Sequence, residues 1–191
     1  MSKSATTKSA MTRPGLMKSA IAQAALTRSG PAAAALAVAG LGTATILGAY
    51  FFQYVLKLAP CPLCLQQRIP YYIAIPLALA VAAAAARLPR ALVRAGLAVV
   101  ALVMVLGAGL GLYHAGIEWR WWPGPTDCAG EVATFTAADL MRQIEAARVV
   151  RCDEAPWRFV GLSLAGYNAL ISLALAGIAL WGVRAARLRP M

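Results

Sequence analysis

A run of 23 consecutive residues without Asp, Glu, Lys or Arg extends from position 95 to position 117, AGLAVVALVMVLGAGLGLYHAGI. A helix rises about 1.5 Å per residue and the hydrocarbon core of a bilayer is about 30 Å thick, so this run is long enough to cross a membrane. Three further charge-free runs of similar character cover residues 31–56, 69–86 and 159–183. The sequence therefore predicts four transmembrane helices.

The composition supports a membrane protein. Hydrophobic residues make up 61% of the chain, charged residues 13%, and the mean hydropathy is +0.67. Soluble domains are nearer about 25% charged. The formal net charge of +11 could suggest a nucleic-acid partner. The position of the basic residues argues against this, because they flank the predicted spans.

The basic residues divide unequally between the two sides of the predicted membrane. Eleven share one side: Lys3, Lys8, Arg13, Lys18, Arg28, Arg87, Arg90, Arg94, Arg184, Arg187 and Arg189. The other side carries Lys57, Arg68 and the loop 118–158, which holds five arginines and all seven acidic residues. By the positive-inside rule, both termini are expected in the cytoplasm, and the loops 57–68 and 118–158 are expected outside.

The predicted fold is all-α, a polytopic membrane protein with one four-transmembrane-helix bundle over residues 31–183. Residues 1–30 are predicted to be a disordered, basic cytoplasmic tail, and residues 184–191 a second cytoplasmic tail. No cleavable signal peptide is expected, because the first apolar run is already of membrane length. In the loop 118–158, Leu140, Met141 and Ile144 predict a short amphipathic helix, either on the bilayer or packed on the domain.

Four cysteines lie in the two predicted external loops: Cys61, Cys64, Cys128 and Cys152. Three pairings are possible, and local spacing favours Cys61 with Cys64 and Cys128 with Cys152. A structural bridge fits the second pair, where it could contribute about 3 kcal/mol. It fits the first pair poorly, because a Cys-x-x-Cys bridge closes almost no loop. The first pair is more typical of reversible redox chemistry.

A zinc site with four cysteine ligands is the other chemical reading of this pattern. The second pair is separated by 23 residues and does not form another tight knuckle. An exported loop is also a poor setting for reduced structural thiolates. We therefore expect redox chemistry and no metal.

Two further residues near the predicted membrane boundary could serve the first pair. Cys64 is expected at the N-terminal end of the second span, where the helix dipole favours a thiolate. Arg68 follows one turn later and would add a positive charge, although an arginine that merely anchors the span end is an alternative. His114, the single histidine, falls near the external end of the third span.

The residues 61–68, CPLCLQQR, closely resemble the first external loop of the disulfide-bond formation protein B (DsbB) family. Residues 152–163, CDEAPWRFVGLS, resemble the end of that family's second loop and the entry to its last helix. Pro123-x-Pro125 before Cys128 and the position of His114 also fit. The resemblance covers residues 50–168 and leaves the N-terminal tail unexplained.

This resemblance implies an inner-membrane thiol oxidase. A DsbA-like periplasmic protein of thioredoxin fold would be reoxidised, and a quinone, ubiquinone or menaquinone, would take the electrons. Cys128 would form the mixed disulfide with the partner and Cys152 would be its loop partner. Cys61 would exchange with the second loop, and Cys64 would face the quinone.

The resemblance also gives the remaining site residues their expected roles. Arg68 would lie beside the quinone, and His114 would be either a structurally satisfied histidine or a hydrogen-bond partner or proton donor to the quinone. Three other functions stay open: a specialised paralogue, a relay like vitamin K epoxide reductase with another partner, and a non-catalytic membrane protein with two structural disulfides.

Overall fold

The computed structural model describes residues 14–124 and 152–187. Its helices are α1 (Pro14–Tyr50), α2 (Pro62–Gln66), α3 (Ile69–Ala84), α4 (Arg90–Glu118) and α5 (Leu164–Arg187), with a π-helical turn at Phe51–Val55 after α1. Two short strands, β1 (Arg158–Phe159) and β2 (Leu162–Ser163), precede α5. Cys128, the predicted amphipathic helix around Leu140 and the chain ends at 1–13 and 188–191 lie outside the described residues.

Four helical segments are long and apolar enough to cross a membrane: Gly30–Val55, Pro62–Ala84, Arg90–Glu118 and Leu164–Arg187. They form a closed ring in which α1 packs on α3, α3 on α4, α4 on α5 and α5 on α1. The turn between α3 and α4 is short, so these two helices run antiparallel as expected. The predicted four-helix membrane bundle is confirmed.

The first helix begins earlier than the sequence predicts. Residues 1–30 were expected to be disordered, whereas α1 starts at Pro14. The basic, Ser/Thr-rich composition of residues 1–30 is typical of a disordered segment. From Pro14 onward the sequence is also rich in alanine and leucine, which favour helix, and proline is well tolerated in a first helical turn.

The first predicted loop, residues 57–68, is partly helical. The chain leaves the π-helical turn, passes Lys57 at a φ of 56°, and enters α2 at Pro62. Pro62 fits the first helical position, where no backbone N–H is needed. Cys61 caps this helix, because its side chain accepts a hydrogen bond from the backbone N–H of Cys64. The cysteine pair therefore belongs to a helix start, as expected for Cys64, although the helix begins at Pro62 and not at residue 69.

The fourth span also begins later than predicted. Residue 159 was expected to start a helix, but strands β1 and β2 pair there as an antiparallel hairpin. The two turn residues have positive φ, 49° at Val160 and 80° at Gly161, as the tight turns of two-residue hairpins require. Apolar residues alone could not distinguish this hairpin from a helix.

Small residues bring α4 and α5 close together. A Cβ atom added at Gly111 would lie 2.8 Å from the backbone nitrogen of Ala169, which is nearer than side-chain carbons normally approach. At Gly109 on the same helix, an added Cβ would meet nothing within 4 Å. The two glycines therefore differ: Gly111 is required by packing and Gly109 is not.

We expect Gly111→Ala to destabilise the bundle by about 1–3 kcal/mol, the usual cost of overpacking a tight core. Gly109→Ala is the matched control and should leave stability unchanged or slightly raised, since alanine favours helix. Thermal unfolding of the two purified variants in the same detergent measures the difference. Equal unfolding temperatures for both variants would show that α4 and α5 do not approach as closely as described.

Candidate active site

Cys61 and Cys64 lie together at the end of the bundle where α2 begins, which we call the cysteine end. Both are free thiols, with their sulfur atoms 3.0 Å apart. Cys61 is buried, whereas Cys64 is partly exposed. The helix start thus holds two thiols in contact, one of them fully buried and the other partly exposed.

The surroundings of Cys61 favour its thiolate. The hydrogen bond from the Cys64 thiol lowers the pKa of Cys61 most, burial opposes this, and a hydrogen bond from the His114 ring lowers it further. The sequence had suggested Cys64 as the thiolate, because it was expected at the N-terminus of a span. The structure instead makes Cys61 the N-cap, whose sulfur accepts a hydrogen bond from the backbone N–H of Cys64 and lies 3.0 Å from the Cys64 sulfur.

Cys152 lies on the buried side of the first pair. It is disulfide-bonded and only 2% exposed, and it shares a buried cluster with Cys61, Leu63 and Ile117. The end of the second predicted loop therefore packs directly against the Cys-x-x-Cys pair.

His114 lies against Cys61, with its Nε2 atom 3.7 Å from the Cys61 sulfur. Its Nδ1 atom lies 2.7 Å from the side-chain nitrogen of Gln67. An amide nitrogen can only donate, so Nδ1 accepts and the neutral ring carries its proton on Nε2. His114 therefore points an N–H at the cysteine pair.

The Gln67 side chain is itself held by a hydrogen-bond chain across the bundle. Its oxygen accepts from Asn168 at 2.7 Å, and the Asn168 oxygen accepts from the Tyr71 hydroxyl at 2.8 Å. The same hydroxyl lies 2.9 Å from that of Ser172. This chain connects α3 and α5 to the ring of His114, and it fixes the orientation of the ring.

Arg68 lines the same cavity as Cys64, whereas His114 does not line it. Its Nη1 atom donates to the side-chain oxygen of Gln53 at 2.7 Å, and its guanidinium group lies 5.2 Å from the centre of the Tyr50 ring. Gln53 belongs to the π-helical turn, which is a geometry often found at functional sites. Arg68 is therefore held in one orientation by both a hydrogen bond and a cation–π contact.

A largely apolar cavity of about 430 Å³ opens beside Cys64. Its polar lining includes Cys64, Gln67, Arg68, Tyr71 and Asn168, and the rest is mostly apolar and aromatic. His114 and Cys61 are not among its lining residues. The cysteine pair therefore stands between two environments, with Cys64 and Arg68 facing the cavity and Cys61 facing His114 and Cys152.

Aromatic side chains form the wall of this cavity nearest the hairpin. The Trp157 ring stacks on Phe159, with centroids 5.9 Å apart and planes 12° apart, and it lies 5.1 Å from Phe52. Tyr167 donates a hydrogen bond to the backbone oxygen of Phe159. A flat aromatic wall opposite a polar cluster suits a planar, apolar ligand.

Several site residues escaped the sequence reading: Gln53, Gln67, Tyr71, Glu118 and Asn168. A usable signal existed for some of them. Polar side chains inside apolar spans are expensive unless they find partners, so Gln53 and Asn168 in the charge-free runs marked functional positions. Gln67 was adjacent to Arg68 in the quoted motif. Glu118 had been assigned to the loop, and its burial follows only from the packing.

These features define a polytopic membrane protein of thiol–disulfide chemistry. The chain matches the family described as disulfide bond formation protein DsbB over residues 31–182. That match covers well over half of the chain, and the protein belongs to the DsbB family. The family resemblance noted from the sequence is confirmed, and with it membership among the membrane oxidoreductases that support disulfide formation.

Two curated proteins are similar to the chain. The disulfide bond formation protein B of Aromatoleum aromaticum is 29% identical over 141 residues, which is 71% of this chain and 81% of that protein. An uncharacterised protein of Rickettsia prowazekii is 22% identical over 130 residues, which is 66% of this chain and 73% of that protein. No solved structure matches.

Proposed function

We propose that this protein reoxidises a DsbA-like periplasmic protein of thioredoxin fold and passes the electrons to a membrane quinone. The observation that carries the proposal is the position of the cysteine pair, between the buried Cys152 on one side and the cavity beside Cys64 and Arg68 on the other. Each sulfur of the pair faces a different reactant.

The reaction balances as a two-electron exchange. A partner dithiol gives two electrons and two protons, its own disulfide forms, and the disulfide of Cys128 and Cys152 is reduced. This second pair then reduces the disulfide of Cys61 and Cys64 and is itself reoxidised. A bound quinone would accept the two electrons and two protons, and the disulfide of Cys61 and Cys64 would form again.

The residues of the cavity fit a quinone. Apolar and aromatic side chains would hold the ring, and Arg68 would donate a hydrogen bond to a ring oxygen and stabilise negative charge there. Gln53 and Tyr50 keep the guanidinium in place. Through its contact with Cys61, His114 would act on the thiol pair and would not touch the ring oxygen directly.

Of the alternative functions, a non-catalytic membrane protein with two structural disulfides agrees least with the site. Cys61 and Cys64 are free thiols in contact, and an N–H of His114 points at the pair. A disulfide with only a structural role would need neither the neighbouring cavity nor a histidine that stabilises a thiolate. The alternative in which the protein oxidises a different protein partner has the same chemistry at Cys61 and Cys64. It differs only in the protein that reacts with Cys128.

The decisive experiment mixes purified protein with a reduced DsbA-like protein and a soluble quinone analogue. We expect loss of quinone absorbance in proportion to the dithiol oxidised, one quinone per dithiol. Quinone reduction by a small dithiol alone, with no reaction of the thioredoxin-fold protein, would favour a different partner.

We also propose that both termini are cytoplasmic and that the cysteine end is periplasmic. A reporter fused to the C-terminus that is active only outside the cytoplasm would refute this topology.

A further inference from the structure

Glu118, the last residue of α4, is a buried carboxylate beside the cysteine pair. The residue is only 7% exposed, and one of its carboxylate oxygens, Oε2, has no hydrogen-bond partner among the described residues. Burial of an ionised carboxylate is costly unless it is paired or protonated. The position of Glu118 therefore needs an explanation beyond helix termination.

The groups around Glu118 come from four parts of the chain. The His114 Nε2 atom lies 3.8 Å from its Oε1 atom, one turn earlier on α4. Ser163 of β2 hydrogen-bonds the carboxylate, and the charges of Arg158 on β1 and of Cys61 at the start of α2 act on it. Two acidic groups, Glu118 and Cys61, thus face the same imidazole.

In its neutral form the imidazole has one N–H to offer them. Because Nδ1 accepts from Gln67, only Nε2 carries hydrogen, and this atom is 3.7 Å from the Cys61 sulfur and 3.8 Å from the Glu118 oxygen. A thiolate and a carboxylate sharing one neutral donor in a buried site would repel each other strongly. The charge of Arg158 offsets part of this repulsion, but Arg158 is exposed and water screens it, so one negative charge in the buried site is favoured over two.

We propose that Glu118 and Cys61 share one negative charge, and that Glu118 takes up the proton which the Cys61 thiol releases. When Cys61 becomes a thiolate, its S–H bond breaks and a carboxyl O–H bond forms at Glu118. The proton leaves Glu118 again when the pair is oxidised, and it goes with the second thiol proton to the quinone. This inference deepens the proposed function and rests on it for the last step.

The first test needs neither quinone nor partner protein. Full-length protein is reduced and treated with iodoacetamide over a range of pH, and label on Cys61 is located by fragmenting the tryptic peptide 58–68. Two groups that share a proton titrate in two macroscopic steps. We expect two steps in the wild-type alkylation rate. Both proteins also carry Cys64→Ser, because the Cys64 thiol lies 3.0 Å from the Cys61 sulfur and would add a step of its own. In Glu118→Gln we then expect a single step, at a pH lower by about one unit or more, because a nearby carboxylate disfavours the thiolate.

Two further variants separate this role from a structural one. Glu118→Asp keeps the charge and should keep two steps. Glu154→Gln removes an exposed acid from the segment after Cys152 and should leave the wild-type profile unchanged, because water screens that charge. Superimposable profiles for wild type and Glu118→Gln would overturn the inference, even in a protein whose relay functions normally.

The second test uses turnover. A proton acceptor typically contributes about 10²-fold or more to rate. Glu118→Gln should therefore lower kcat for quinone reduction by about that factor with the KM for quinone unchanged, since Glu118 does not line the cavity. An unchanged kcat together with an altered alkylation profile would show that Glu118 titrates with Cys61 but does not serve the reaction, and would overturn the proposal.

Discussion

We expect Cys64→Ser and Cys61→Ser to abolish quinone reduction with every electron donor, and Cys128→Ser and Cys152→Ser to abolish only the reaction with the protein partner. The two pairs do different work in the proposed relay. Cys64 lines the cavity, so its loss removes the sulfur that faces the quinone. Loss of Cys61 removes the buried thiolate that would exchange with the second loop.

The measurement compares two electron donors on the same purified variants. A reduced thioredoxin-fold protein needs both pairs, while a small dithiol can reduce the first pair directly. We expect Cys128→Ser to lose turnover with the protein and to retain it with the small dithiol. Turnover of Cys128→Ser at the wild-type rate with the protein donor would show that the partner reaches the first pair without the second.

We expect Arg68→Ala and Arg68→His to raise the KM for quinone strongly, and Arg68→Lys to raise it moderately. A hydrogen bond to a charged donor is worth about 1.5–3 kcal/mol, which corresponds to about 10- to 100-fold in affinity. Lysine keeps the charge, but it lacks the planar fork that Gln53 holds from one side and Tyr50 from another. We therefore expect an intermediate defect.

The matched control is Arg87→Ala. Arg87 follows α3 at the opposite end of the same span from Arg68, and it does not line the cavity. If Arg68 only anchored its helix, the two alanine variants should behave alike. The measurement is the KM for quinone in all four variants at equal expression. An unchanged KM in every Arg68 variant would show that Arg68 serves only as a membrane anchor.

The sequence predicted the four-helix bundle because a transmembrane helix can be recognised from the length and composition of a single segment. A charge-free run of sufficient length with basic residues at its ends needs no knowledge of neighbours, so all four spans were found. The ends of the spans were less well predicted. The helix start at Pro62 and the hairpin at Val160 and Gly161 depend on local backbone geometry that hydrophobicity does not report.

The site was predictable only where its residues are close in sequence. Cys61, Cys64 and Arg68 fall within eight residues, and helix periodicity predicts that Cys64 and Arg68 lie on one face. The ring of His114 meets Gln67 across 47 residues, and Gln67 meets Asn168 across 101. Such contacts arise from the packing of helices, so the orientation of the histidine and the thiolate preference of Cys61 were not available from the sequence.

The burial of Cys61 and the position of Cys64 at the cavity affect how the two proposed reactants are kept apart. In the proposed relay, the pair separates two reaction sites, one for the protein partner and one for the quinone. The partner and the quinone would not react with each other directly, because electrons would cross only as Cys61 and Cys64 change redox state. The two sites could therefore change independently in evolution, and a new protein partner would not require a rebuilt cavity beside Cys64.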